Sequence, residues 1–171
     1  MSITTNGTAS DHGIFLDGGA SHTFIENVQI NTSRGESIRI GSATVENTTY
    51  KNVSFLSPGY KEIDLNFSEN STNGTLLINT FPRNYSFRGV GARVIFNDSV
   101  FGEIRFLEYI NGSGGNLSDV IRIGNNSAII NETVGESGLN KRANISFTGK
   151  STSFTDPVIL RYGGICNESS G

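Results

Sequence analysis

The chain has 171 residues, a formal net charge of −3, and hydrophobic and charged shares of 35% and 17%, both low for a globular protein. This length suffices for one or two domains with a buried core. The 13 Lys and Arg residues are dispersed, with Lys141-Arg142 the only adjacent pair, so the chain lacks the basic patch that nucleic-acid binding requires. Gly, Asn, Ser and Thr fill 76 positions, a composition typical of strands and turns rather than helices.

Neither a membrane-spanning helix nor a secretory signal is predicted. Even the longest apolar runs are as short as residues 75–78, far below the roughly 18 residues of a spanning helix. Residues 1–13 have neither a basic start nor an apolar segment. Because the composition otherwise suggests export, we expect a segment of a longer protein whose true ends lie outside this sequence.

Short alternating segments typical of strands recur through the first third of the chain, and no window of a dozen residues keeps an uninterrupted helical spacing. The predicted strands cover residues 13–16, 23–25, 28–30, 37–40, 53–55 and 63–67. Their spacing repeats: Ile14, Ile38 and Ile63 lie 24 and 25 residues apart, and Ile30 and Phe55 lie 25 apart.

A repeat of this length, built from strands and turns, predicts an all-β fold of right-handed parallel β-helix coils over residues 1–80. Leucine-rich repeats share the period but need a leucine skeleton that this chain lacks. Tight corners between the short strands favour Gly and Asn, because both tolerate left-handed backbone conformations. The glycines expected at such corners are Gly13, Gly18, Gly19, Gly35 and Gly41.

Residues 81–171 have a different rhythm, with longer alternating runs. Asn111-Gly112 is a typical hairpin turn, so we predict a smaller antiparallel, β-rich module there.

Two stretches in the first half, "HGIFLDGGASHTFIENVQI" and "ATVENTTYKNVSF", resemble the parallel β-helix repeats of the pectin-lyase-like superfamily. In the second half, "GLNKRANISF" and "DPVILRYGGIC" resemble the segment after such repeats in large, Asn/Ser/Thr-rich archaeal cell-surface proteins. The resemblance implies a β-helix fold and a surface location, and a chain that continues into a further β segment. Cys166, the single cysteine, would then be free or pair with a residue outside this sequence.

The acceptor motif for N-glycosylation, Asn-x-Ser/Thr without an intervening proline, is strongly over-represented. Ser and Thr fill 36 of 171 positions, so chance would give about four motifs among the 19 asparagines, whereas fifteen occur. The candidate glycosylation sites are Asn6, Asn31, Asn47, Asn52, Asn66, Asn70, Asn73, Asn84, Asn97, Asn111, Asn116, Asn125, Asn131, Asn144 and Asn167.

Two interpretations of this excess remain open. The motifs could carry glycans on an exported protein. Alternatively, residues i and i+2 of a strand share a face, so an outward Asn followed by an outward Ser or Thr forms the motif through alternation alone. In the stretch 42–55, inward Val45, Val53 and Phe55 would leave Asn47 and Asn52 outward or at corners, available for sugar. If Asn47 or Asn52 instead stacks inward in an asparagine ladder, its motif is a by-product of the fold.

Catalytic chemistry has weaker support. A glycosidase needs paired carboxylates, but the acids of the repeat region are scattered; they include Asp11, Asp17, Glu26, Glu36, Glu46, Glu62 and Asp64. Asp17 precedes Gly18-Gly19, which favours a turn, and His12 and His22 lack a third ligand at zinc-like spacing. No cofactor or metal is expected.

The sequence thus favours a non-catalytic structural or adhesive segment of a secreted or cell-surface protein, with other surface proteins or glycans as partners. The alternative is a carbohydrate-binding or polysaccharide-degrading β-helix, since a fold alone excludes neither. Asp17, Arg39 and Asp64 stacked together in a groove would favour the enzyme.

Overall fold

The computed structural model describes residues 1–6, 11–42, 44–56, 63–68, 71–87, 92–125, 127–131, 137–149, 160–161 and 164–165.

Strands account for most of the described chain, which confirms the predicted all-β class. They are β1 (Ser2–Thr5), β2 (Ile14–Leu16), β3 (Phe24–Glu26), β4 (Gln29–Thr32), β5 (Ile38–Ile40), β6 (Thr49–Lys51), β7 (Ser54–Phe55), β8 (Leu65–Phe67), β9 (Ser71–Ile78), β10 (Asn84–Ser86), β11 (Ala92–Asp98), β12 (Gly102–Phe106), β13 (Ser113–Gly115), β14 (Ile121–Gly124), β15 (Ser127–Ile130), β16 (Ala143–Phe147), β17 (Leu160–Arg161) and β18 (Gly164–Ile165). A four-residue helix, α1 (Leu117–Val120), and a 3-10 turn (Ser137–Leu139) complete the described elements. Within the described ranges, no helix is long and apolar enough to cross a membrane.

Three sheets contain most of the strands. Sheet A has the order β1-β4-β7, sheet B the order β2-β5-β8-β10-β13, and sheet C the order β3-β6-β9-β11-β12-β16. From β2 to β7 the chain visits sheets B, C and A in turn, twice, and then alternates between B and C from β8 to β11. Strands β2 to β6, β8 and β9 each pair in parallel with the equivalent strand of the next set.

The pairing register of the strands explains the sequence repeat, but one of the predicted repeat positions is wrong. Ile14 pairs with Ile38, at the predicted offset of 24 residues. Ile38 then pairs with Leu65 rather than with Ile63. Sheet C shows the same longer step, since Thr49 pairs with Leu76. The chain between the second and third sets is therefore two residues longer than the earlier spacing suggests.

The core lies between the sheets and is built from every second residue of the strands. Ile38, Ile40, Leu65 and Phe67 are at most 1% exposed. Farther along, the rings of Phe67, Tyr85 and Phe87 lie in contact, with centroids 5.2 Å apart for Phe67 and Phe87. Stacked aliphatic and aromatic side chains of this kind supply most of the free energy that stabilises such short strands.

Antiparallel pairing begins after β11, so the sheets are mixed. The β11-β12 hairpin turns at Asp98, whose Oδ1 accepts the backbone N–H groups of Val100 (2.8 Å) and Phe101 (3.0 Å). Strand β16 then pairs antiparallel with β12, and β13 with β10. The boundary at residue 80 stays a prediction, since β10 and β11 still continue the parallel pairing.

Two local predictions have different outcomes. Asn111-Gly112 forms no hairpin between its flanking strands: β12 belongs to sheet C and β13 to sheet B, because the chain crosses from one sheet to the other there. Of the corner glycines, Gly19 and Gly35 have positive φ values of 82° and 117°. At Gly35 a Cβ atom would also collide with the backbone oxygen of Asp11, so only glycine fits.

Candidate functional site

A column of asparagines follows the strands of sheet C. Asn27, Asn52 and Asn79 come directly after β3, β6 and β9, and their φ values are 54°, 51° and 46°. Nδ2 of Asn52 donates to Oδ1 of Asn27 (3.0 Å), and Nδ2 of Asn79 donates to Oδ1 of Asn52 (3.2 Å). Ser99 extends the ladder, because its backbone N–H donates to Oδ1 of Asn79 (3.0 Å).

This ladder gives Asn52 a structural reason to be asparagine. Asparagine adopts the left-handed conformation more readily than other non-glycine residues, and its amide can both donate to one neighbour and accept from the other. Asn27 and Asn79 have the same geometry without an acceptor motif. The corner therefore selects asparagine independently of glycosylation.

A second corner column lies two residues before the register position that Phe24, Thr49 and Leu76 share in sheet C. His22, Asn47 and Gly74 have φ values of 57°, 51° and 73°. Asn47 is exposed, and its Oδ1 lies against Gly74. Both asparagines of the stretch 42–55 are thus corner residues, while Val45, Val53 and Phe55 are buried as expected.

The remaining candidate asparagines follow the same outward tendency. Twelve of the fifteen have described side chains, and none of these twelve is buried. Seven are exposed: Asn6, Asn47, Asn52, Asn111, Asn116, Asn125 and Asn144. Five are half-buried: Asn31, Asn66, Asn84, Asn97 and Asn131. Asn70, Asn167 and the side chain of Asn73 lie outside the described residues.

Some of these amides already donate hydrogen bonds within the fold. Besides Asn52, Nδ2 of Asn66 donates to Oε1 of Glu36 (2.7 Å), and Nδ2 of Asn116 donates to Oδ2 of Asp119 (2.6 Å). The motif hydroxyls can be engaged too, as the hydroxyl of Ser68 donates to the backbone oxygen of Ile40 (2.9 Å). The acceptor motifs are therefore not equivalent in the folded chain.

A polar and aromatic group, which we call the Glu36 cluster, occupies the outer face of sheet B. Phe15, Arg39 and Asn66 share one register position on β2, β5 and β8. Glu36 lies beside them and accepts from Asn66, while its Oε2 lies 2.7 Å from Nδ1 of His12. The Nδ1 atom of His12 is buried and has no hydrogen-bond partner of acceptable geometry, so its contact with Glu36 is a close approach rather than a formed hydrogen bond.

Stacking contacts complete the Glu36 cluster. The rings of His12 and Phe15 stack with centroids 5.5 Å apart, and the guanidinium carbon of Arg39 lies 5.9 Å from the Phe15 centroid. A side chain at Gly41 would collide with the Phe15 ring, which lies over that residue. Phe15 nevertheless stays 50% exposed, so an external ligand could reach it.

Sequence reasoning considered His12, Glu36 and Arg39 separately and missed that they meet. The 24-residue spacing from Phe15 to Arg39 was a usable signal, because it places both at one register position. The link from Glu36 to Asn66 had no such signal, since it depends on the longer third repeat.

The three residues proposed for an enzymatic groove are not brought together. Asp17 lies one residue past the end of β2, exposed, with its backbone oxygen accepting from Ala20 in a turn. Asp64 lies one residue before β8. These places are four register positions apart, about 13 Å along the strand direction at 3.3 Å per residue. Arg39 instead contacts Glu36, with 3.5 Å between Nη1 and Oε2.

Asp64 is a buried carboxyl with a structural partner. It is 1% exposed, and its Oδ2 accepts the backbone N–H groups of Arg83 (2.7 Å) and Asn84 (3.3 Å). Burial raises the pKa of Asp64 above its ordinary value of 3.8, and the two N–H groups and the positive charge of Arg83 oppose that rise. The carboxyl links the start of β8 to the start of β10.

The two histidines occupy different environments: His12 belongs to the Glu36 cluster, and His22 is exposed at its corner. No group of three or more His, Cys, Asp or Glu side chains that could hold a metal ion occurs among the described residues. Cys166 lies outside them.

Comparison of the chain with protein-family models, with curated proteins and with solved structures gives no match.

Proposed function

We propose that this chain is a non-catalytic structural or adhesive segment of a secreted or cell-surface protein, folded as right-handed parallel β-helix coils that carry N-linked glycans on their outer faces. The observation that carries the proposal is the in-register stacking of parallel strands around an apolar core, with asparagine corners and outward acceptor motifs. Such a stack needs no ligand to hold its shape, and each added set of strands extends it in one direction.

The composition of the outer surface supports this role. Among the twelve described motif asparagines none is buried, so their amides contribute polar groups to the outer surface. A stiff body with a polar, glycan-bearing exterior suits a segment that spaces or displays other parts of a surface protein. Other surface proteins or glycans would be its partners.

The test is site-resolved glycopeptide mass spectrometry, together with the intact mass, of the protein isolated from its native host and cell fraction. We expect recovery in the surface or secreted fraction with glycans on several of the fifteen motifs. Unmodified asparagines at every motif would reject the proposed glycan coat. Recovery from the cell interior would reject the proposed surface location.

A second candidate function, carbohydrate binding, is favoured by the exposed Phe15 ring of the Glu36 cluster. Aromatic rings beside hydrogen-bonding carboxyl and guanidinium groups can hold a ligand through stacking and polar contacts. Calorimetric titration of the protein with neutral and acidic oligosaccharides tests it. Binding that Phe15→Ala abolishes and Phe24→Ala leaves intact would support it, because Phe24 is 59% exposed on β3 outside the cluster. Absence of binding by the unmodified protein would reject it.

A further inference from the structure

The motif Asn144-Ile145-Ser146 differs from the other acceptor motifs in its exposure. All three of its residues are exposed, with Ile145 at 49%. No other motif whose three residues the structure describes has this property. We infer that Asn144 is the site at which the folded chain itself is a glycosylation substrate; this inference rests on the proposed function.

A buried middle residue distinguishes the strand and corner motifs named below from the Asn144 motif. On a strand, outward Asn and Ser or Thr require the residue between them to point inward. The middle residues that are at most 4% exposed are Thr32, Thr48, Val53, Phe67, Tyr85 and Leu117. A transferase that must contact the asparagine and the hydroxyl together can bind such a segment only after it separates from the core.

The position of Asn144 in sheet C removes that obstacle. Among the strands that the structure describes, β16 is the last of the sheet and pairs on one side with β12. Asn144 lies opposite Arg105 and Ser146 opposite Glu103, on the outer face. Neither the Asn144 nor the Ser146 side chain hydrogen-bonds another described residue.

The backbone of this motif is accessible as well. The N–H of Leu107 donates to the oxygen of Arg142, and the N–H of Thr148 donates to the oxygen of Phe101. Because bonded pairs alternate along an antiparallel ladder, the N–H and C=O groups of Ile145 point away from β12, toward the side on which no described strand pairs with β16. An enzyme can therefore bind the motif as an added strand without disturbing the core.

The reaction needs only a sugar donor. The anomeric carbon of an oligosaccharide leaves its lipid diphosphate carrier and bonds to Nδ2 of Asn144. The amide loses one proton to a base of the transferase, and the lipid diphosphate departs with the electron pair. No oxidation or reduction occurs.

The experiment compares the folded protein with synthetic peptides that carry single motifs. Each acceptor is incubated with a single-subunit oligosaccharyltransferase and a lipid diphosphate-linked oligosaccharide, and site occupancy is followed by glycopeptide mass spectrometry. Peptides of residues 139–149, 48–57 and 61–71 supply the intrinsic rate for Asn144, Asn52 and Asn66. Dividing the rate at each site in the folded chain by the rate in its peptide then corrects for the preference of the enzyme for particular motifs.

We expect Asn144 to keep a rate close to that of its peptide in the folded chain. The rates at Asn52 and Asn66 in the folded chain should be at least about tenfold below those of their peptides, because modification there requires local opening of the fold. Ser146→Ala should abolish labelling at Asn144, and the matched variant Ser54→Ala should leave it unchanged.

Equal folded-to-peptide ratios at Asn52, Asn66 and Asn144, or a folded chain that is inert at Asn144, would overturn the inference. These outcomes are distinct from failure of the proposed function. An unglycosylated protein from the native host would reject the glycan coat while the preference measured in vitro still stood.

Discussion

At the scale of single residues, the asparagine corners show how one residue type meets two demands. Asn52 has a left-handed backbone and accepts and donates within the ladder, yet its side chain remains exposed. The sequence pattern alone could not separate a glycan acceptor from a scaffold residue. The structural role is evident from Asn27 and Asn79, which repeat the geometry without the motif.

Substitutions at Asn52 separate the backbone contribution from that of the ladder. Asn52→Ala places alanine in the left-handed region and removes two amide hydrogen bonds, so we expect a loss of roughly 1–3 kcal/mol in the free energy of unfolding. Asn52→Gly removes the same hydrogen bonds but tolerates the backbone, and should cost less. Urea unfolding measures both, with Ser54→Ala as a control that removes the motif and not the ladder. Alanine and glycine variants of equal stability would contradict a left-handed requirement.

Asp64 should make stability depend on pH in a defined direction. Its pKa is raised by burial, so the folded chain retains the proton after the unfolded chain has released it. The stabilising contribution of the Asp64 carboxyl to the free energy of unfolding is thus fully present below pH 3.8 and is lost as the pH rises through the higher pKa of the folded chain. We expect the unfolding free energy of the wild type minus that of Asp64→Asn to decrease over this range. A difference that increases with pH would mean that the N–H donors of Arg83 and Asn84 outweigh burial.

At the scale of elements, the register of the strands decides which residues meet. Spacing predicted the first step, from Ile14 to Ile38, because both repeats there have nearly equal length. It did not predict the step to Leu65, since two additional residues shift the third repeat. The contact between Glu36 and Asn66 was hidden for the same reason.

The apolar stack between elements should dominate stability. Phe87 is fully buried against Phe67 and Tyr85, so Phe87→Ala removes a ring from a packed core and should cost about 3–5 kcal/mol. Phe24→Ala is the matched control, because that ring is 59% exposed and its loss should change stability by less than about 0.5 kcal/mol. Chemical denaturation compares the two variants. Similar costs would show that Phe87 is not part of the core.

At the scale of the whole molecule, the strands pair in parallel as far as β11, and the described strands after β11 pair antiparallel. The change of rhythm in the sequence predicted antiparallel strands, and the structure has them from β12 onward. The turn at Asn111-Gly112 was not predictable from its residue types, because a favoured hairpin dipeptide also fits a chain that crosses between sheets. Which sheet a strand joins depends on long-range packing rather than on local preference.

The first part of the chain is a parallel, in-register stack of strands. Solution NMR of the isotopically labelled protein can detect this stack through backbone contacts in sheet C. We expect contacts of Phe24 with Thr49 and of Thr49 with Leu76, at offsets of 25 and then 27 residues and in the pattern of parallel strands. Antiparallel contacts among these three strands, or no contacts between them at all, would show that the strands do not form a parallel stack.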